Sequence, residues 1–176
     1  RSLTLPIEPA SAQAAEVGRS NIAVTGEPWS LPSAAIVIDP YHLNRYSIAD
    51  LRMDPRIVGI IHKATQGQTF EDPKYQSRHA EAIAAGYLWG AYHLGTRGHI
   101  KEQVEYFLHF AKLSSSELIA LDLEERPDGM TLQEAVEFAR LINKKTGRYP
   151  LIYGGKRILN QKLSANGVAI LNKCKL

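Results

Sequence analysis

Residues 118–125, Leu-Ile-Ala-Leu-Asp-Leu-Glu-Glu, hold the spacing in this chain best suited to chemistry: an apolar run that ends in Asp122, Glu124 and Glu125. In a strand, residues i and i+2 share a side at about 6–7 Å between Cα atoms. Asp122 and Glu124 are therefore expected side by side, with Ala120 beneath them and Leu121 and Leu123 turned toward covering helices. Two carboxyls so close at a cleft mouth repel one another, which raises one pKa and keeps a proton near neutral pH. Glycoside hydrolysis needs that combination, a neutral acid to protonate the leaving oxygen and an ionised partner beside the positive sugar. The expectation is a proton on Glu124, with Asp122 as its charged neighbour and Asp39 entering from another strand as a third acid. An isolated acid at a strand end is more often a helix cap or a solvated loop residue, and the Asp-x-Glu pair after an apolar run is what argues otherwise. Glu125 points the other way, as a surface charge or a partner of Arg126.

Further polar residues stand where strands are expected to end. Lys63 either holds a carboxylate ionised or extends from a strand edge into solvent. His62 and His93 suit hydrogen-bonded structural roles better than catalysis. Tyr92 and Tyr153 are candidate sugar platforms, although aromatic residues in strands usually belong to a core. Asp39, His62, His93, Asp122 and Glu124 also form a conceivable metal set, but no His-x-His or His-Glu-x-x-His spacing strengthens it.

These residues need a scaffold that gathers strand ends. "AAIVIDP", "RIVGIIHKAT", "YLWGAYHL", "ELIALDLE" and "YPLIYGG" have the composition of strands buried on both faces. Helical segments separate them. "SIADLRMD" is a short one. "DPKYQSRHAEAIAAGY" opens with Asp72 as cap and Pro73 at the first position, presents Tyr75, Ala80, Ile83 and Ala84 as its apolar face, and stops at Gly86. "HIKEQVEYFLHFAKL" presents Val104, Phe107, Leu108 and Ala111. "TLQEAVEFARLINKKTG" carries a capping box at Thr131 and Glu134 and closes on Lys144, Lys145 and Gly147. "KRILNQKL" is a last helix. Five strands alternating with helices predict a parallel α/β sheet. The polar residues at successive carboxyl ends favour a barrel over a doubly wound sheet. No Gly-x-Gly-x-x-Gly or P-loop is present, so nucleotide binding has no support.

The chain has 176 residues, enough for one domain with a core, and its 21 Lys and Arg against 18 Asp and Glu make it mildly basic. That charge would draw the chain to anionic polymers such as cell walls or nucleic acid without being specific for either. No apolar run is long enough to span a bilayer. The lone Cys174 excludes a disulfide within the chain. Residues 1–33, rich in Ala, Ser, Pro and Glu, read as a flexible arm. Within it "PASAQAAE" has either the small residues of a secretory cleavage site or the composition of an ordinary leader. The folded domain is expected over 34–176.

Six segments resemble, in order and spacing, the family 25 glycoside hydrolases, lysozymes that act as N-acetylmuramidases: "VIDPYH", "IIHKATQGQTFEDPKY", "AIAAGYLWGAYHL", "EQVEYFL", "ALDLEE" and "TGRYPLIYGG". The resemblance implies a distorted, irregular (β/α) TIM-like barrel. It implies cleavage of the β-1,4 bond between N-acetylmuramic acid and N-acetylglucosamine in peptidoglycan, without a cofactor or metal, by a secreted, periplasmic or cell-wall-associated protein. Glu124 matches the family's proton donor, Asp122 the first acid of the Asp-x-Glu motif and Asp39 the acid closing the first strand. Tyr92 and Tyr153, with Lys63 and Tyr41, fall where substrate contacts are expected. Net retention is usual in the family, by attack of a carboxylate or of the substrate's acetamido group. "DPYH" departs from the usual Asp-Val-Ser-His-Trp opening, and Gln66 stands where Glu is common. The family continues past "ILNKCKL" with further strands and another acid, so the C-terminal strands of the barrel are expected to be missing. That departure motivates an alternative, an inactive or weak relative that binds glycan in wall remodelling or as a scaffold.

Overall fold

The chain is described here from a computed structural model covering residues 27, 30–155, 158 and 160–174. Most of the expected arm and part of the expected helix over 156–163 lie outside those residues. The elements are β1 (Ile36–Ile38), α1 (Ile48–Arg52), β2 (Ile57–Gln66), β3 (Phe70–Glu71), α2 (Tyr75–Ala84), β4 (Leu88–Leu94), α3 (Ile100–Ala111), β5 (Leu118–Leu123), α4 (Leu132–Thr146), β6 (Leu151–Gly154) and α5 (Ala165–Leu171). The short β3 was not expected; it folds back antiparallel on the end of β2.

The remaining strands pair in the order β1-β2-β4-β5-β6, every pair parallel. Chain order and sheet order coincide, so no strand reverses the direction of winding. Right-handed crossovers that all advance the same way keep the helices on one face, and the strand twist then curls the sheet into half of a barrel. A doubly wound sheet requires a reversal, which is absent among these strands.

The two faces of the sheet differ. Toward the helices, Ile60, Trp89, Ala91, Ile119, Leu121, Leu123 and Ile152 are buried in one core with Val104, Phe107, Phe138 and Ile142. On the concave face Val37 is 48% exposed, Leu88 69%, Leu118 47% and Tyr153 65%. The expectation that both faces of the strands are covered is thus corrected. The strand segments are short and β-branched on both sides, and composition alone did not distinguish a covered face from an open one.

Helix ends follow the side chains that satisfy their free backbone groups. At α4 the Thr131 hydroxyl accepts from Glu134 N at 3.2 Å while the Glu134 carboxylate accepts from Thr131 N at 2.8 Å, and the helix stops at Gly147 with φ 75°. Helix α2 departs from expectation at its start and on its face. Its cap is Lys74, and Tyr75, Arg78 and Ala82 are its buried residues, while Ala80, Ile83 and Ala84 are exposed. Arg78 displaces the apolar stripe because its guanidinium has partners inside: Tyr41 O at 2.9 Å, Asn44 O at 2.6 Å, His62 Nε2 at 2.9 Å, and the Tyr46 ring at 4.3 Å. A buried cation that keeps its hydrogen bonds avoids most of the cost of leaving water.

Candidate active site

The parallel register assembles the acidic end of β5. Tyr92 of β4 lies opposite Ala120 and Leu94 opposite Asp122, while Asp122 lies opposite Tyr153 of β6. Residues so paired share a face, and here it is the concave one. Asp39, Tyr92, Ala120, Asp122 and Tyr153 line a cleft of about 250 Å³. Tyr41 is not among its lining residues; its ring stands edge-on to His42 at 5.3 Å and its backbone N donates to Asn44 at 2.9 Å. Glu124 follows the last residue of β5, is exposed, and lines a neighbouring cleft of about 330 Å³ with Arg97 and Arg126. The two acids therefore line different clefts, Asp122 the one with Asp39 and Tyr92, and the exposed Glu124 the other.

Burial pushes the Asp122 carboxyl up to about 6; repulsion from Glu124 and from Asp39 adds to the rise, and Lys63 opposes it. Its Oδ1 is buried and accepts no hydrogen bond from the described residues. The burial that favours a neutral acid thus acts on Asp122. Tyr92 is likewise pushed upward by burial and then by Asp122, Asp39, Asp72 and Glu124, so its hydroxyl stays protonated and able to donate.

Lys63 is buried rather than extended into solvent. Its Nζ donates to Gln66 Oε1 at 2.7 Å and stands 5.1 Å from the centre of the Phe70 ring. Burial lowers its pKa, while Asp72, Glu124 and Asp122 pull it back up and Arg126 lowers it further. Lys63 is therefore the cation whose field reaches both acids of the motif.

His62 and His93 point to the helix side of the sheet. His62 Nδ1–H donates to Lys63 O at 2.7 Å, since Nε2 must accept from Arg78. His93 Nε2–H donates to Gln103 at 2.9 Å, leaving Nδ1 to accept from the Thr65 hydroxyl at 2.8 Å. Both rings are fixed in one neutral tautomer, and burial lowers both pKa values, His93 to about 4. The conceivable metal set is therefore split between the two faces, and no group of three metal-binding side chains occurs among the described residues.

Two functional supports escaped sequence reasoning. Asp72, expected as a helix cap, is buried and accepts from His42 N at 2.8 Å, His42 Nδ1 at 3.1 Å and Lys74 N at 3.0 Å. With Arg78 it fastens the loop that follows Asp39. The signal for Arg78 was its position three after Tyr75 and four before Ala82, which a charged residue type conceals.

Among curated protein sequences none matches the chain. Similar solved structures include a muramidase from Trichobolus zukalii, at 24% identity and a TM-score of 0.58, over 65% of this chain and 62% of that one. A muramidase from Acremonium alcalophilum has 22% identity and a TM-score of 0.65, over 77% and 72%. A family GH25 lysozyme from Aspergillus fumigatus has 23% identity and a TM-score of 0.60, over 72% and 67%. The chain thus spans between 62% and 72% of these relatives, and at such identities they establish the fold alone. The model of glycosyl hydrolases family 25 matches residues 48–172, which include the whole acidic end of β5 and every element from α1 onward. On that match the chain belongs to glycosyl hydrolases family 25.

Proposed function

We propose that this chain is a lysozyme that hydrolyses the β-1,4 bond between N-acetylmuramic acid and N-acetylglucosamine in peptidoglycan. The observation that carries the proposal is the placement of Asp122 and Glu124 in different clefts at one strand end, with Asp39 and Tyr92 beside Asp122. Glu124, at the solvent-facing edge, is the proton donor to the glycosidic oxygen. Asp122 and Asp39 lie below, where the sugar becomes cationic. An ionised Asp122 crowded by two other acids is destabilised while the cleft is empty. Positive charge developing on the sugar relieves that crowding, so the gain is larger in the transition state than in the ground state. Tyr92 donates to a sugar oxygen, and Tyr153 offers its ring. Lys63 opposes the rise in the Asp122 pKa and so favours its ionised form.

The curled sheet corresponds to the near half of a distorted TIM-like barrel, with residues 34–176 as the catalytic domain, and the substrate places the protein outside the cell or at the wall. Two of the structural neighbours are described as muramidases and one as a lysozyme. The chemistry requires no cofactor. A second reading, a glycan-binding relative without turnover, is favoured by the 65% exposure of Tyr153, which leaves the cleft shallow on the β6 side. A gel containing purified peptidoglycan separates the two. The wild type should clear the gel and Glu124→Gln should not, while circular dichroism shows both folded; binding without clearing by the wild type would defeat the enzyme reading.

A further inference from the structure

A peptidoglycan strand carries peptide branches, and a cleft that admits the strand needs a place for the branch beside the cleaved bond. Arg97 stands on the wall shared by two clefts next to Glu124. One is the cleft of about 330 Å³ that Glu124 and Arg126 also line; the other, of about 410 Å³, is lined by Gln66, Gln68, Thr69 and Thr96. The first sets the guanidinium groups of Arg97 and Arg126 beside the Glu124 and Glu125 carboxylates, and the second sets amide and hydroxyl groups beside Arg97 and Asp128; the guanidinium, amide and hydroxyl groups are the complements of a peptide's carboxylates and backbone.

The loop bearing Arg97 is built for position. Arg97 N donates to Asp128 O at 2.8 Å, Met130 N to Gly95 O at 3.3 Å, and Thr96 forms an antiparallel bridge with Gly129. Gly98 N donates to the Glu134 carboxylate at 2.8 Å, and the buried Gln103 side chain ties Thr96 N at 3.0 Å and Thr96 O at 2.8 Å. The Arg97 side chain, on that fixed backbone, remains exposed. Arg126 differs, since its guanidinium already holds Asp128 through two bonds of 3.1 and 3.0 Å.

We propose that Arg97 anchors a carboxylate of the peptide branch, with its two flanking clefts as a branch subsite on the Glu124 side of the cleavage point. This rests on the proposed activity toward peptidoglycan. A guanidinium fork holds a carboxylate through two parallel bonds, which an ammonium cannot reproduce.

The test compares intact peptidoglycan with the same glycan stripped of peptides by an amidase, for the wild type, Arg97→Gln and Arg97→Lys. Turnover and co-sedimentation are both measured. The wild type should favour the peptide-bearing glycan by about tenfold, the worth of one charge-assisted pair. The ratio should fall close to one in Arg97→Gln and to an intermediate value in Arg97→Lys. A wild-type ratio of one, or a ratio unchanged in Arg97→Gln, would overturn the proposal. So would a preference that disappears when wall phosphodiester polymers, rather than peptides, are removed. Absence of cleavage on both substrates defeats the lysozyme activity instead, and co-sedimentation then still reads the branch preference.

Discussion

At the residue scale the acids at the end of β5 divide into a half-buried one, Asp122, and an exposed one, Glu124, and the division predicts opposite effects on activity and stability. Burial raises Asp122 above its ordinary value of 3.8, to about 6. A raised acid binds its proton more tightly in the folded state, so stability declines as pH rises through that interval, and the cost is complete above about pH 6. Replacing Asp122 by Asn removes the cost. The variant should be more stable than the wild type at pH 7 by roughly 1–2 kcal/mol after solvent screening is allowed for, and no more stable below pH 4. Thermal melts at the two pH values check this, and an equal or lower melting temperature at pH 7 would contradict it. The proposed mechanism has Asp122 act when ionised, so kcat/KM of the wild type should rise with pH through about 6. That limb should be missing from the residual activity of Asp122→Asn, itself reduced by at least about a hundredfold, comparable to loss of one preorganised electrostatic group. That Asp122 and Glu124 stand two residues apart at one strand end was legible in the sequence, because it follows from the strand itself. Which of the two is the more buried was not, since Glu124 follows the strand and lines its cleft with residues of the loops after β4 and before α4.

At the element scale the loops behind β5 hold Glu124 in place. A Cβ on Gly129 would lie 2.5 Å from Glu124 O and 3.1 Å from Arg126 O. Backbone cannot yield as a flexible side chain does, so Gly129→Ala should displace the end of β5, lowering stability by about 1–3 kcal/mol and turnover along with it. Denaturant unfolding and a rate assay check both, and a neutral variant would show that this end of β5 has slack. Strands β1, β2, β4, β5 and β6 and the capping box of α4 were all visible in the sequence, because each depends on residues close in the chain. Helix α2 was placed almost correctly and faced wrongly. Its buried side is set by acceptors 34–37 residues earlier, at Tyr41 and Asn44, and no local pattern reports those.

At the scale of the whole molecule the sheet is stabilised from one side. Leu121 is buried under the helices, whereas Leu88 and Leu118 lie on the concave face, 69% and 47% exposed. Leu121→Ala should cost about 2–5 kcal/mol and Leu88→Thr or Leu118→Thr less than about 1 kcal/mol. Equal losses from urea unfolding would mean that the concave face is covered in solution. The alternation of strands and helices predicted a parallel sheet and fitted barrel and doubly wound orders alike, with the polar residues at strand ends favouring the barrel; the openness of this face was not legible, because it depends on what packs there rather than on the strands. The central claim, that the acids of β5 cleave the glycan on one particular side of its bond, is tested most directly by mass spectrometry of the fragments released from purified peptidoglycan. Wild-type protein should release saccharides whose new reducing end is N-acetylmuramic acid, and Glu124→Gln should release none. Fragments ending in N-acetylglucosamine, or equal release by the variant, would contradict the account.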